Sequence, residues 1–143
     1  MFVKKKPPVV VIDTNILISY LFGGATISSL IDAVEDDTYI PALSPYLEQE
    51  FIDTMRKPKI SRRVDIADAL DFMRNWKNFV HYVKPRCKVT VCRDPNDNEI
   101  LACAIEASAD FVITGDKDLL VLDIFHGIQI ISPTDFVKKI LRQ

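Results

Sequence analysis

The chain has 143 residues, of which 48% are hydrophobic and 27% are charged, so its composition is that of one globular domain and not of a disordered segment. Its 18 basic and 20 acidic residues leave a formal net charge of −2, which excludes a uniformly basic nucleic-acid binder. Three cysteines without CxxC spacing and only two histidines exclude a disulfide framework and argue against a structural zinc site.

The N-terminal segment combines basic residues with an apolar run, as a signal peptide does, but Asp13 and Asn15 interrupt the run. No cleavage-site pattern follows Phe22, and no segment reaches the roughly 20 apolar residues that span a bilayer. We therefore expect a cytoplasmic protein with no membrane partner. Residues 1–7 are expected to form a flexible basic arm, and residues 8–143 the folded domain.

The first half of the chain predicts two strands and four helices. Residues 9–12 are a β-branched run without alternation, which is typical of a strand buried on both faces of a parallel sheet. Helical spacing and capping residues then predict, in order, helix 16–22, helix 26–35, strand 39–43, a helix that opens at Ser44-Pro45 and stops before Pro58, and helix 65–76.

The second half begins with two ambiguous extended stretches, 79–83 and 88–91, and then alternates clearly between helix and strand. The remaining elements are a helix from Asp94-Pro95 to Ala107, strands at 111–114 and 128–131, and a final helix that begins at Ser132-Pro133. Strands that alternate with helices imply right-handed crossovers. The pattern predicts a single α/β domain with a parallel sheet covered by helices on both faces.

Two of the strongest strands end in carboxylates, at Asp13 and Asp116. The carboxyl ends of parallel strands meet at one edge of a sheet, where ligands bind in open α/β folds. Asp97 lies in the first turn of its helix and shares its face with apolar residues, so its carboxylate is expected to point inward. Glu50, on the helix that follows Pro45, is the fourth candidate acid.

Carboxylates gathered in one cleft repel one another unless a cation neutralises them. Oxygen ligands from Asp and Glu suit Mg²⁺ or Mn²⁺, which activate water and stabilise negative charge on a phosphate. The acids therefore predict phosphodiester hydrolysis without a protein nucleophile. Each acid also has a purely structural interpretation, with Asp13 and Asp94 as helix caps, Asp97 as a helix-dipole partner, Asp116 and Asp118 as turn residues and Glu50 as a solvated side chain.

Four blocks follow one another over almost the whole chain: VVIDTNILIS (10–19), SPYLEQEFIDTMRKPKI (44–60), CRDPNDNEILACAIEASADFVITGDKDLL (92–120) and GIQIISPTDF (127–136). Together they resemble the PIN-domain family, and in particular its branch of toxins from toxin–antitoxin pairs. The third block is the most specific. The resemblance implies a sheet of five parallel strands, divalent-metal-dependent ribonuclease activity and inhibition by a cognate antitoxin.

The resemblance also implies a set of catalytic, metal-binding acids, namely Asp13, Glu50, Asp97 and Asp116, with Asp118 as an outer or alternate ligand. Asn15 and Thr114 match the polar residues that accompany the first and last acids and orient them or the water. In related toxins the third acid aligns near Asp97 or Asn98. The inward face favours Asp97, which leaves Asp94 as the structural cap.

An acidic cleft repels RNA unless basic residues line the approach. The expected backbone-binding rim consists of Arg56, Lys57, Lys59, Arg62, Arg63 and Lys117. A solvated turn between helices is the competing interpretation of the stretch 56–63. Toxins of the resembling family are commonly dimers, and helices 27–34 and 66–73 would either form a homodimer interface or cover the sheet of a monomer.

Three other functions fit parts of the pattern. A catalytically silent PIN-fold scaffold for RNA binding or RNA processing would keep the fold, but it does not need concentrated buried carboxylates. A phosphohydrolase of the haloacid-dehalogenase type needs a second Asp two residues after the first, where this chain has Asn15. A DNA flap nuclease is a related alternative, although the chain is short for one and shows no helical arch. The sequence therefore favours a metal-dependent endoribonuclease.

Overall fold

A six-stranded sheet forms the centre of the computed structural model, which describes residues 6–142. The strands are β1 (Val9–Ile12), β2 (Ile40–Leu43), β3 (His81–Tyr82), β4 (Phe111–Ile113), β5 (Ile124–Phe125) and β6 (Ile128–Ile131). Their order across the sheet is β3-β2-β1-β4-β6-β5. The predicted basic arm lies largely outside the described residues, so it stays a prediction.

Five strands of the sheet are parallel, as predicted, and β1 lies between β2 and β4. Ile12 is paired with Ile113, which makes the next residues of the two strands, Asp13 and Thr114, neighbours at the carboxyl edge. The backbone N–H of Asp13 donates to the carbonyl of Ile113 at 2.9 Å and continues the ladder by one residue. Strand pairing alone therefore joins the ends of two sequence motifs that are about 100 residues apart.

The predicted count of five strands is wrong by one. Residues 124–125 form the additional strand β5, which pairs antiparallel with β6 through a two-residue turn at the edge of the sheet. The ambiguous stretch 79–83 contributes only the two residues of β3, and 88–91 contains no strand. Short edge strands have few ladder hydrogen bonds and little hydrophobic pattern, which explains why the sequence did not show them.

Eight helices surround the sheet in the described part of the chain: α1 (Thr14–Phe22), α2 (Ala25–Asp32), α3 (Pro45–Met55), α4 (Pro58–Ser61), α5 (Ile66–Trp76), α6 (Pro95–Glu106), α7 (Lys117–Leu120) and α8 (Pro133–Phe136). A 3₁₀ turn at Ala33–Asp36 extends α2, and a π-helical turn at Val137–Leu141 extends α8. The single-turn helices α4 and α7 were not predicted. No single described helix is long and apolar enough to cross a membrane. Among the described residues, α1 and the segment Ala25–Asp36 reach that length and hydrophobicity only when taken together, and the pair is bent by 116°.

The hydrophobic core covers both faces of β1, since its consecutive residues Val10, Val11 and Ile12 are all buried. Apolar side chains of the helices fill the two layers, and α6 packs against β1, β2 and β4. The helices considered for a dimer interface contribute Leu30, Ile31, Ala69 and Met73 to this same core. Those side chains therefore cover the sheet of the chain itself, which was the second of the two predicted roles.

Candidate active site

Asp13 is a buried carboxylate, 4% exposed, whose two oxygens are each held by a donor. It follows β1 and caps α1, so its Oδ1 accepts from the backbone N–H of Asn15 at 3.0 Å. Its Oδ2 accepts from the Oγ1 hydroxyl of Thr114, at the end of β4, at 2.8 Å. Asp13 is therefore a helix cap, as its structural interpretation predicted, and Thr114 fixes the direction of the same carboxylate that is predicted to bind metal.

Thr114 also connects Asp13 to the last acid of the site. Its Oγ1 accepts from the backbone N–H of Asp116 at 3.0 Å, while its hydroxyl proton is directed at Asp13. Asp116 in turn caps α7, with Oδ1 accepting from the backbone N–H of Asp118 at 2.8 Å. The Asp118 side chain is exposed and forms a salt bridge with Arg93 at 3.0 Å, so it lies at the rim of the cluster.

Glu50 reaches the same edge of the sheet from α3. Its Oε2 accepts from the Oγ1 hydroxyl of Thr14 at 3.0 Å, and Thr14 is the first residue of α1, directly after Asp13. Thr14 is buried, so this hydrogen bond links α1 to α3 at the start of the site. Thr14 was not among the predicted site residues. Its position between Asp13 and Asn15 was the signal available in the sequence.

Asp97 lies in the first turn of α6 and is 5% exposed, as its inward face predicted. Asp94 caps the same helix by accepting from the backbone N–H of Asn96 at 2.9 Å. The Asn98 side chain is engaged elsewhere, because its Oδ1 accepts from the Cys92 N–H at 2.8 Å and its Nδ2 donates to the Cys92 carbonyl. Of these three polar residues, Asp97 is the one buried among the acids.

The acids influence one another electrostatically. Burial, together with the charges of Asp116, Asp94 and Asp13, raises the pKa of Asp97 to about 7. Burial also raises the pKa of Asp13, against the hydrogen bonds that lower it. Burial raises the pKa of Glu50 as well. The charge of Asp13 adds to this rise, and the charge of Lys57 opposes it.

Two open clefts adjoin the acids. The first, about 240 Å³, is lined by Tyr46, Glu50, Asp53, Thr54, Lys57 and Asn96. The second, about 420 Å³, contains Asp13 and Asp116 together with Asn15, Ile16, Ser19, Ile27, Gly115 and Pro133. The predicted polar residue Asn15 therefore lines the same cleft as both strand-end acids, while Glu50 lines the other cleft.

The predicted basic rim is exposed throughout and surrounds the far end of α3. Arg56 and Lys57 follow α3, Lys59 lies in α4, and Arg62 and Arg63 follow α4. The guanidinium of Arg63 lies 4.5 Å from the ring centre of Phe22, at the end of α1. Lys117 is separate from this stretch and opens α7 next to Asp116.

Within residues 6–142, no three acidic, histidine or cysteine side chains are close enough together to form a preassembled metal centre. The chemistry of the donors nevertheless fits a hard divalent cation. Asp13 and Asp97 are buried carboxylates with raised pKa values, Glu50 and Asp116 add two further carboxylates, and these residues present only oxygen. A cation at this edge of the sheet would favour the charged forms of these carboxylates, which burial and mutual repulsion disfavour.

The family model described as a PIN domain matches residues 9–118, which is more than half of the chain. No curated protein sequence gives a significant match. Among solved structures, PAE2754 from Pyrobaculum aerophilum has a TM-score of 0.64 at 15% identity, covering 96% of this chain and 92% of that one. VapBC2 from Rickettsia felis, bound to a DNA fragment from their promoter, has a TM-score of 0.60 at 12% identity, covering 87% and 98%. At these identities the two structures show a shared fold.

Proposed function

The chain belongs to the PIN domain family, and from that premise we propose that it is a divalent-metal-dependent endoribonuclease, the toxin of a toxin–antitoxin pair. The observation that carries the proposal is that four carboxylates from four segments influence one another electrostatically beside the carboxyl ends of β1 and β4, Asp97 with Asp116 and Asp13, and Glu50 with Asp13. Two of them, Asp13 and Asp97, are buried with raised pKa values. Burying repelling charges is costly, so a purely structural role does not account for them.

Asp13, Glu50, Asp97 and Asp116 would hold Mg²⁺ or Mn²⁺, with Asp118 at the rim as an alternate ligand. When bound, such a cation lowers the pKa of a water and stabilises negative charge on the phosphate being cut. The chain's own contribution is to orient the carboxylates: Thr114 directs Asp13, and Thr14 directs Glu50. Both hydroxyls are buried, so the acids keep their geometry before a ligand arrives.

The RNA backbone would approach over the basic rim of Arg56, Lys57, Lys59, Arg62 and Arg63, with Lys117 on the other side of the acids. These side chains are exposed, and their charge offsets the repulsion between phosphates and the acidic cluster. The rim carries no feature that reads base edges, so it supports binding to the backbone and not to one sequence.

A cognate antitoxin is the proposed protein partner, and the cytoplasm the proposed location. The support is the resemblance of the four sequence blocks to the toxin branch of the PIN-domain family, together with the fold shared with VapBC2. A homodimer is proposed as well, with surface other than the buried residues of α2 and α5 as its interface.

The test is a nuclease assay on single-stranded and structured RNAs that compares the wild type with Asp13→Asn in Mg²⁺, in Mn²⁺ and in EDTA. We expect cleavage that needs the metal and that falls by at least about 100-fold in the variant, because one of the four carboxylates is lost. The fold should survive, since the substitution removes one of several repelling charges.

Asp110→Asn is the matched control, because Asp110 is an exposed acid that accepts from the backbone N–H of Val9 at the other end of β1. Its activity should equal that of the wild type. Cleavage by Asp13→Asn at the wild-type rate would refute the site. Absence of cleavage in every condition, with no effect of metal on the melting temperature, would favour the catalytically silent scaffold.

A further inference from the structure

One aromatic side chain stands in the cleft beside the acids and has no role in the site described so far. Tyr46 lies in the first turn of α3 and is 41% exposed, although tyrosine is usually more buried than this. It lines the 240 Å³ cleft together with Glu50, one turn further along the same helix. An exposed aromatic ring in the same cleft as a candidate catalytic acid is available to a ligand.

Tyr46 is held in place by a hydrogen bond across the cleft. Its hydroxyl donates to the side-chain Oδ1 of Asn96, in the first turn of α6, and the Asn96 backbone N–H donates to Asp94. The ring thus bridges α3 and α6, the two helices that carry Glu50 and Asp97. Because the hydroxyl is already paired, what Tyr46 offers to a ligand is the surface of its ring. A fixed aromatic side chain loses little conformational entropy on binding.

Lys57 supplies the positive charge of the same cleft. It is the one basic residue among the six that line the cleft, and its charge opposes the rise that burial causes in the pKa of Glu50. A phosphate beside Tyr46 would therefore meet the ammonium group of Lys57, and Glu50, one of the acids that would hold a cation, lines the same cleft. The cleft is small, about 240 Å³, and open to solvent.

Resting on the ribonuclease function proposed above, we propose that this cleft binds one unstacked nucleotide of single-stranded RNA next to the phosphate that is cut. Its base stacks on the ring of Tyr46, and its phosphate contacts Lys57. In a duplex both faces of each base are covered by neighbouring bases, so only an unpaired segment can offer a face to the ring. Stacking accepts every base, so the cleft selects single strands and not a sequence.

The binding experiment uses the Asp13→Asn variant, so that RNA is not consumed, and a fluorescently labelled single-stranded RNA of mixed sequence. Adding Tyr46→Ala should weaken binding by about 5-fold to 100-fold, the range for loss of one base–aromatic stack. Tyr46→Phe keeps the ring and should bind nearly as the parent does. Tyr82→Ala is the matched control, since Tyr82 is 40% exposed and its hydroxyl is also hydrogen-bonded, to Glu48, outside the cleft.

A spectroscopic measurement separates stacking from a structural role. Tyr46→Trp should introduce tryptophan emission that single-stranded RNA quenches, whereas Tyr82→Trp should give emission that RNA leaves unchanged. The native Trp76 is buried and contributes a constant background. Blunt duplex RNA should quench neither. If Tyr46→Ala lowers the melting temperature, Tyr46→Leu keeps more of the apolar packing without an aromatic ring and separates stacking from stability.

Equal binding by the Tyr46→Ala, Tyr46→Leu and parent proteins would overturn this inference, even if the wild type cuts RNA in Mg²⁺. Quenching by duplex RNA equal to that by single strands would overturn it too. Quenching confined to Tyr46→Trp and to single strands would support it. If that result came with a wild type that cuts no RNA, the cleft would stand and the proposed nuclease activity would fall.

Discussion

The two buried carboxylates of the site are stabilised in different ways. Asp13 receives a hydrogen bond on each oxygen, from Asn15 and from Thr114, and these bonds favour its charged form. For Asp97 the leading influences are burial and the neighbouring carboxylates, and all of them favour the protonated form. Asp97 is therefore the acid whose ionisation should lower the stability of the folded, metal-free protein most, and this effect should depend on pH.

The stability of the metal-free protein should fall as the pH rises from about 4 to about 7. The pKa of Asp97 is about 7 in the folded chain against an ordinary value of 3.8, so the folded state binds more protons than the unfolded state in this range. Asp97→Asn should melt several degrees higher than the wild type at pH 8 and equally at pH 4, since about 1 kcal/mol corresponds to about 2–4 °C in a domain of this size. Thermal melts in EDTA measure this.

Glu99→Gln is the control for this prediction, because it removes the same charge two residues further along α6 from a half-buried position. Its melting temperature should follow the wild type across the whole pH range. Adding Mg²⁺ or Mn²⁺ should stabilise the wild type at pH 8 and leave Asp97→Asn nearly unchanged. A wild type whose stability rises between pH 4 and pH 7 would show that Asp97 is not protonated as described.

At the scale of single elements, the hairpin β5–β6 shows that a tight turn can form without the residue pair that usually predicts it. The connection consists of His126 and Gly127, whose φ angles are 51° and 78°. Two-residue hairpins of type I′ need positive φ at both positions, and Asn-Gly is the usual pair. Histidine is among the non-glycine residues that adopt positive φ more readily. The turn therefore forms with a pair that does not stand out in the sequence, and β5 was missed.

The requirement for positive φ predicts the order of stability of two variants at His126. Both His126→Asn and His126→Val lose the contact between the His126 and Phe125 rings, whose centres are 4.4 Å apart. They differ in backbone preference, because Asn accepts the left-handed region and a β-branched residue does not. We expect the Asn variant to be more stable than the Val variant by about 1–2 kcal/mol, measured by urea unfolding. Equal stabilities would contradict the type I′ assignment.

The longer elements were predictable because their local signals agree with their tertiary environment. The β-branched run of β1 is buried on both faces, and the Ser-Pro and Asp-Pro pairs cap α3, α6 and α8. Helices α4 and α7 have only four residues each, too few for a hydrophobic period. Their existence depends on the elements around them, which the sequence does not display locally.

For the molecule as a whole, the relative positions of candidate site residues were predictable where strand order determines them. They were less predictable where they depend on contacts between helices. Asp13 and Asp116 follow neighbouring strands, so strand order alone places them at one edge. The hydrogen bonds from Thr14 to Glu50 and from Tyr46 to Asn96 join residues 36 and 50 positions apart. Such contacts depend on how α1, α3 and α6 pack, and no spacing in the sequence contains that information.

Charge is also organised over the whole molecule, since a net charge of −2 conceals an acidic cluster beside a basic rim. This predicts that Arg62→Gln with Arg63→Gln weakens RNA binding and flattens its salt dependence. For single strands the slope of log K against log salt is about 0.7 per phosphate contact, so losing two contacts should lower its magnitude by about 1.4. Filter binding by the Asp13→Asn protein between low and moderate salt measures the slope.

The control changes the net charge equally but at a different place. Lys138→Gln with Lys139→Gln removes two exposed cations from the C-terminal helical turn. If RNA responds only to net charge, both double variants weaken binding alike, because long-range attraction does not depend on position. If RNA crosses the rim, only the arginine variant changes the slope. Equal slopes for the arginine variant and the parent would leave 56–63 as a solvated turn, and the path of RNA to the acids would then pass Lys117 and Arg93.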